Sequence, residues 1–149
     1  MRIRIATHAD AEPGIGVLRR SIRELCRLDH GGNDTVIAAW LGNKTPAMWH
    51  EWVDRDDATL YVAVEFDQIL GVAMVAHDGE VMLNYVSPDA RWCGVSKALL
   101  AQMEAAARAA GLTRCTLSST KTARRFYEAA GYRPDTSVVD GCDRLMKNI

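Results

Sequence analysis

Charged and apolar residues alternate from position 2 to position 6, the period-two signature of a short strand. The period then lengthens. Ile15, Leu18, Ile22 and Leu25 recur at helical spacing and predict a helix over 9–28. Asp29-His30-Gly31-Gly32-Asn33 interrupts it, a second short helix is expected over 34–41, and Thr45-Pro46 opens a third carrying Trp49 and Trp52. Three strands follow, over 59–65, 69–76 and 80–86, joined by turns at 66–68 and 78–79 that are too short for a crossover. Those three are therefore antiparallel.

A strong helix is predicted over 94–110, with Leu99, Leu100, Met103, Ala106 and Ala110 on its apolar face and Gly111 as its stop. A strand over 113–118 comes next. Its link to the strand over 80–86 through a long helix is a βαβ unit, so these two strands run parallel. A helix over 121–130 ends at Gly131, and two last strands, near 136–140 and 142–147, turn at Asp140-Gly141. The expected fold is a layered α/β domain with one mixed sheet over residues 1–149.

Composition adds limits. The 149 residues suffice for one real core, and 48% hydrophobic with 25% charged residues is ordinary for a soluble chain. A net charge of −1 gives no bulk attraction to nucleic acid or an anionic membrane. No apolar run reaches membrane-spanning length, and the start MRIRIATHAD lacks a signal-peptide core. The four cysteines show no metal-type spacing, so reduced thiols in a cytoplasmic protein and no metal are expected.

The stretch VSPDARWCGVSKALL, Val86 to Leu100, carries candidate chemistry. A strand ends at Pro88, and Arg91, Gly94, Ser96 and Lys97 stand at the mouth of the long helix. The first amides of a helix have no partner within it, and its dipole is positive there. Such a mouth suits phosphate; the competing reading is a capped surface turn.

Three features in order carry a family resemblance: the strand from Glu80 to Val86 with Ser87-Pro88, and two motifs that follow it. Arg91-Trp92-Cys93-Gly94-Val95-Ser96 resembles the pyrophosphate loop Q/R-x-x-G-x-G/A of the GNAT family of acetyl-CoA-dependent N-acetyltransferases. Ala123-Arg124-Arg125-Phe126-Tyr127-Glu128-Ala129-Ala130-Gly131-Tyr132 is similar to that family's A-x-x-F-Y-x-x-x-G-[FY]. The resemblance runs from about residue 59 to residue 133. It departs at Ser96, where Gly or Ala is usual, and at Thr120, where Asn is frequent.

The resemblance implies a central mixed, mostly antiparallel twisted sheet flanked by about four to five helices. It also implies that acetyl-CoA meets Arg91, Trp92, Cys93, Gly94, Val95, Ser96 and Lys97 through its pyrophosphate. The pantetheine arm would meet backbone near Asn84, Tyr85 and Val86, together with Thr120, Ala123 and Phe126. Tyr127 stands where the family has a proposed general acid, against its reading as a core aromatic. Strand alternation puts Glu80, Met82, Asn84 and Val86 on one face. Glu80 is read either as a general base or as a solvated strand-end carboxylate. At about 13 Å from Asn84 along the strand, it would act only through ordered water. Asn84 orients an amine or a water.

The N-terminal helices are expected to roof the acceptor site. Cys26, Asp29, His30 and Lys44 are its candidate contacts, with Glu24, Trp40, Trp49 and Trp52 nearby. For Asp29 and His30 the alternative is capping of the helix end; for the tryptophans it is core packing. His8, His50 and His77 are taken as surface residues. The activity implied is direct acetyl transfer to a primary amine, first of a small molecule, second of a protein or peptide. The alternative is a weakly catalytic acyl-CoA sensor. No GxxxxGK[ST] is present to favour a nucleotide enzyme. A homodimer is common in the family.

Overall fold

One seven-stranded sheet, in the order β1-β2-β3-β4-β5-β7-β6, organises the computed structural model, which describes residues 1–139 and 143–149. Strands β1 (Arg2–Ile5), β2 (Ala58–Glu65), β3 (Gln68–Ala76) and β4 (Glu80–Val86) are antiparallel neighbours. Strand β5 (Arg114–Ser118) lies parallel to β4. Strand β7 (Arg144–Asn148) returns antiparallel to β5, and the two-residue β6 (Arg133–Pro134) pairs with its outer side. The mixed, mostly antiparallel sheet is the one expected.

Helices cover both faces because each has one apolar stripe. Ala11, Ile15, Leu18 and Ile22 bury the inner side of α1 (Ala11–Leu25). Ala11, Ile15 and Leu18 pack with Trp49, Trp52, Leu60, Val62, Val72 and Met74 on one face of the sheet. On the other face, Leu99, Leu100, Met103 and Ala107 of α5 (Val95–Ala109) pack with Ala63, Ala73, Val75, Leu117 and Leu145.

Among the described residues, six helices replace the four to five expected, because the helix predicted over 9–28 is divided. A 3₁₀ turn (His8–Asp10) precedes α1, and Cys26 leaves helical geometry at ψ 33° before the one-turn α2 (Arg27–His30). Leu28, the apolar residue that extended the prediction, is 73% exposed and has no core to join. Helices α3 (Asp34–Leu41) and α4 (Pro46–Asp54) are capped by Asn33 and Thr45. Trp49 is fully buried, with its indole N–H donating to Thr7 O at 3.0 Å. Helix α6 (Arg124–Ala129) is shorter than the predicted 121–130.

The strand expected near 136–140 is absent over its described part. Asp135 instead accepts from Ser137 N (3.1 Å) and Ser137 Oγ (2.6 Å), a local turn that competes with the ladder. The Asp140-Gly141 turn and Cys142 lie outside the described residues. Among the described residues, no helix is long and apolar enough to cross a membrane, and Cys26, Cys93 and Cys115 are free thiols.

Two features of β4 shape the centre of the sheet. Met74 pairs with Leu83 but Val75 with Val81, so Met82 is an extra residue, a β-bulge. A bulge reverses the alternation of side chains. Val81 joins the core under α5, whereas Leu83 and Tyr85 face the core under α1. Beyond this bulge β4 also parts from β5. The two are paired only at Glu80↔Thr116 and Val81↔Leu117, and then they diverge.

Candidate active site

The site is built around that divergence. A cavity of about 400 Å³ opens beside it, and a smaller one of about 60 Å³ sits in the gap itself. Both are lined by Asn84, Tyr85, Thr120, Ala123 and Tyr127, so they meet at these side chains. The β5-facing backbone of β4 has no strand partner past Val81 among the described residues. Such groups favour a ligand that can hydrogen-bond to them.

The larger cavity reaches the start of α5. Arg91, Trp92, Gly94, Val95, Ser96 and Lys97 line that end. Gly94 takes φ +77°, the left-handed conformation that suits glycine, and no side chain caps the helix. The first amide there to find a carbonyl is that of Ala98, bonded to Gly94 O at 3.0 Å. Those of Val95, Ser96 and Lys97 have no acceptor among the described residues. They leave the positive end of a 15-residue helix facing the cavity. The Arg91 guanidinium lies 4.6 Å from the centre of the Trp92 ring, itself 87% exposed. Cys93 does not share this role. Its amide is bonded to Ala90 O (3.3 Å), and it lines neither cavity.

At the inner end, Tyr127 is buried, its ring edge-on to Phe126 (5.1 Å) and Tyr132 (5.7 Å). Burial pushes its phenol up to about 12, while the adjoining Asn84 side chain pulls the other way. The phenol is therefore protonated at neutral pH and able to donate. Asn84 reaches Ser96 O with its Nδ2 at 3.4 Å, while its Oδ1 is buried without a partner, alone in this among side chains of the described residues. Thr120 Oγ1 accepts Ala123 N at 3.1 Å, so it closes the turn before α6.

The structure corrects the expectation for Glu80. The bulge turns its side chain to the face opposite Asn84, breaking the shared face that simple alternation implied. Arg144 holds it at 3.1 Å, and it lines neither cavity. His30 is also withdrawn. It is 3% exposed, with Nε2 donating to Ile22 O (2.8 Å) and Nδ1 accepting Gly32 N (2.9 Å). Both ring nitrogens are used, so it braces the end of α1 and cannot take a proton from substrate. Lys44 is buried beside Asn43 (2.6 Å), with its pKa lowered by burial, and lines neither cavity. Asp29 accepts Lys121 N, Thr122 N and Thr122 Oγ1, so it is a bracing carboxylate and not an open one.

Cys26 does line the larger cavity, together with Ser21 and Leu25 of α1. Burial, aided by the charge of Asp29, raises its thiol to about 11, which keeps it a thiol and a poor nucleophile. The sequence reading took Tyr85 for its backbone alone and missed its phenol. Tyr85 lines both cavities, and burial pushes its phenol up to about 12. The signal was hidden because the bulge decides which way Tyr85 points.

A sheet parted between two parallel strands, an anion-ready helix mouth at one end and a buried phenol at the other suit transfer from a long, phosphorylated donor. The family model for an acetyltransferase (GNAT) domain matches residues 28–142, and the chain belongs to the GNAT acetyltransferase family. The fold is similar to that of PaiA N-acetyltransferase from Thermoplasma acidophilum, solved in complex with coenzyme A. The TM-score is 0.83 at 19% identity, covering 99% of this chain and 98% of that one. It is also similar to ribosomal-protein-alanine N-acetyltransferase from Brucella melitensis (TM-score 0.69, 20% identity, 100% of both chains). An aminoglycoside 6'-acetyltransferase type Ii gives a TM-score of 0.63 at 17% identity, over 99% of this chain and 97% of that one. No curated protein matches the sequence.

Proposed function

We propose that this enzyme moves an acetyl group from acetyl-CoA directly to the primary amine of a small molecule, both substrates being bound at once. The orphan Asn84 Oδ1 beside the protonated Tyr127 phenol carries the reading. A buried acceptor without a partner costs about 1–3 kcal/mol, so the site favours a ligand N–H at that atom. An amine supplies one. Acetyl-CoA supplies an activated acyl group and a thiol leaving group.

The chain's residues divide the work. The amides of Val95, Ser96 and Lys97, with the Arg91 side chain, hold pyrophosphate at the mouth of α5. The free backbone near Tyr85 and Val86, with Thr120, Ala123 and Phe126, holds the pantetheine arm. Tyr127 donates to the sulfur as negative charge develops there. Asn84 aims the amine. Among the described residues no carboxylate lines either cavity, so the amine binds already neutral or loses its proton through water. The roof favours a small acceptor. Arg20 pairs with Asp89 at 2.9 Å on one side, and Asp29 bonds the loop before α6 on the other.

The test is release of CoA from acetyl-CoA across amino acids, spermidine, kanamycin and peptides with free N-termini. Turnover of a small amine supports the reading. Turnover of peptides alone transfers it to protein substrates. Acetyl-CoA binding without any turnover makes the chain a sensor.

A further inference from the structure

The Asp29 carboxylate gathers three hydrogen bonds from one short segment 92–93 residues further along the chain. Lys121 N donates at 2.8 Å, Thr122 N at 3.1 Å and Thr122 Oγ1 at 2.5 Å. These bonds, with the nearby Lys121 charge, hold its pKa below the usual carboxylate range despite the opposing cost of burial. Asp29 stands on α2, in the roof; Lys121 and Thr122 immediately precede α6. That helix has only six residues and no side-chain cap of its own. Its register is set instead by the turn at 120–123. There Thr120 Oγ1 takes Ala123 N, and Ala123 O takes Tyr127 N at 3.1 Å. The chain of contacts therefore runs from the Asp29 carboxylate, through the turn, to the backbone that carries Tyr127.

We propose that Asp29 is a positioning residue, which clasps the 120–123 turn from the roof and thereby sets the Tyr127 hydroxyl against the thioester. It does not touch the reacting atoms. Charge matters because two amides and a hydroxyl all donate to it. Neutral Asn keeps one accepting oxygen and Ala keeps none. The roof also carries Cys26 and Leu25 on the cavity wall. The clasp therefore ties the acceptor side of the cleft to the group that serves the leaving thiol.

This inference rests on the acetyl-transfer reading and on Tyr127 as the donor to sulfur. Its test uses the panel amine that releases CoA fastest. Asp29→Ala is expected to lower kcat about tenfold to a hundredfold, the cost of a misplaced catalytic group, and to weaken acetyl-CoA affinity by calorimetry far less than that, since Thr120 and Ala123 of the same turn hold only part of the pantetheine arm. Asp29→Asn should fall between Ala and the parent. The decisive comparison places Asp29→Ala in a Tyr127→Phe background. A residue that acts through the phenol loses its effect when the phenol is gone, so the further loss there should be under about twofold. Equal losses in both backgrounds, or an unchanged kcat in the parent, would overturn the clasp. If Asp29→Ala does not fold, Thr122→Val removes one of the three bonds and carries the same comparison. A Tyr127→Phe variant with full activity, or a panel with no turnover, would instead defeat the underlying reading and the clasp with it.

Discussion

Replacing Tyr127 by Phe removes a single oxygen from the centre of the site. The ring keeps its edge contacts to Phe126 and Tyr132 at 5.1 and 5.7 Å, so the packing changes little. The phenol is 7% exposed, and with a pKa near 12 it is neutral throughout the usual assay range. Its loss removes the Asn84 contact but also the cost of burying a hydroxyl. The net change in stability should stay within about 1 kcal/mol, or roughly 3–4 °C in Tm. Catalysis should suffer far more. A preorganised donor facing developing charge in a buried site is worth about a hundredfold to a thousandfold in kcat, about 2.7–4 kcal/mol. Acetyl-CoA binding, proposed to be held chiefly at the α5 mouth, should move by less than about threefold, because ground-state contacts are retained. The assay pairs steady-state CoA release with calorimetric titration of acetyl-CoA. The pH profile offers a further check. With the phenol at about 12, kcat should rise as the acceptor amine loses its proton and then stay level, with no alkaline fall below about pH 10. A Tyr127→Phe enzyme whose kcat stays within about threefold of the parent would refute the donor role.

Other outcomes follow from the same structure. A Cβ at Gly71 would lie 2.6 Å from Val95 Cγ1 and 2.9 Å from Leu99 Cδ1, so Gly71→Ala should push α5 outward. The expected cost is about 1–3 kcal/mol by thermal melting, together with weaker acetyl-CoA binding; an unchanged Tm would contradict the packing. Gly94→Ala meets no atom within 4 Å but forces φ +77° on alanine. It should cost about 1–2 kcal/mol of backbone energy, read as a Tm lower by roughly 3–8 °C together with weaker CoA affinity. Arg4 grips Asp10 through both guanidinium nitrogens, at 2.8 and 2.9 Å, and this holds the Asp10 pKa below its ordinary value. A depressed carboxylate stabilises the fold above the unfolded pKa of about 3.9, and the contribution fades as pH falls through the folded one. Asp10→Asn should therefore lower Tm at neutral pH and converge on the parent as pH falls through the depressed folded pKa; a gap that persists in strong acid would exclude the ion pair as its source. Cys26→Ala should keep kcat within about threefold, since its thiol, at about 11, is not the attacking group; abolished transfer would reinstate it.

Some of this protein is written locally. The helical recurrence of Leu99, Leu100 and Met103 marks α5, and Gly94 marks its mouth, because periodicity and a left-handed residue depend only on near neighbours; the buried face continues at Ala107 and not at the expected Ala106 and Ala110. Tyr127 is marked differently, by the resemblance of the stretch from Ala123 to Tyr132 to the family's A-x-x-F-Y-x-x-x-G-[FY]. Three other features turn on partners distant in sequence. Which face Glu80, Asn84 and Tyr85 take depends on the bulge at Met82, which exists only in the pairing of β4 with β3. His30 looks like an acid–base residue until its two nitrogens meet Ile22 and Gly32. Asp29 looks like an amine ligand until the fold delivers Lys121 and Thr122 to it.

Residue order alone thus marked most of the elements and the anion-ready helix mouth, since these rest on short-range geometry and backbone chemistry, while the tyrosine was marked by the resemblance of its motif to the family's. Tertiary structure decided which polar groups stay open to a substrate. A carboxylate or imidazole is available only if no amide or carbonyl reaches it first, and that competition is settled by chain segments that meet only on folding.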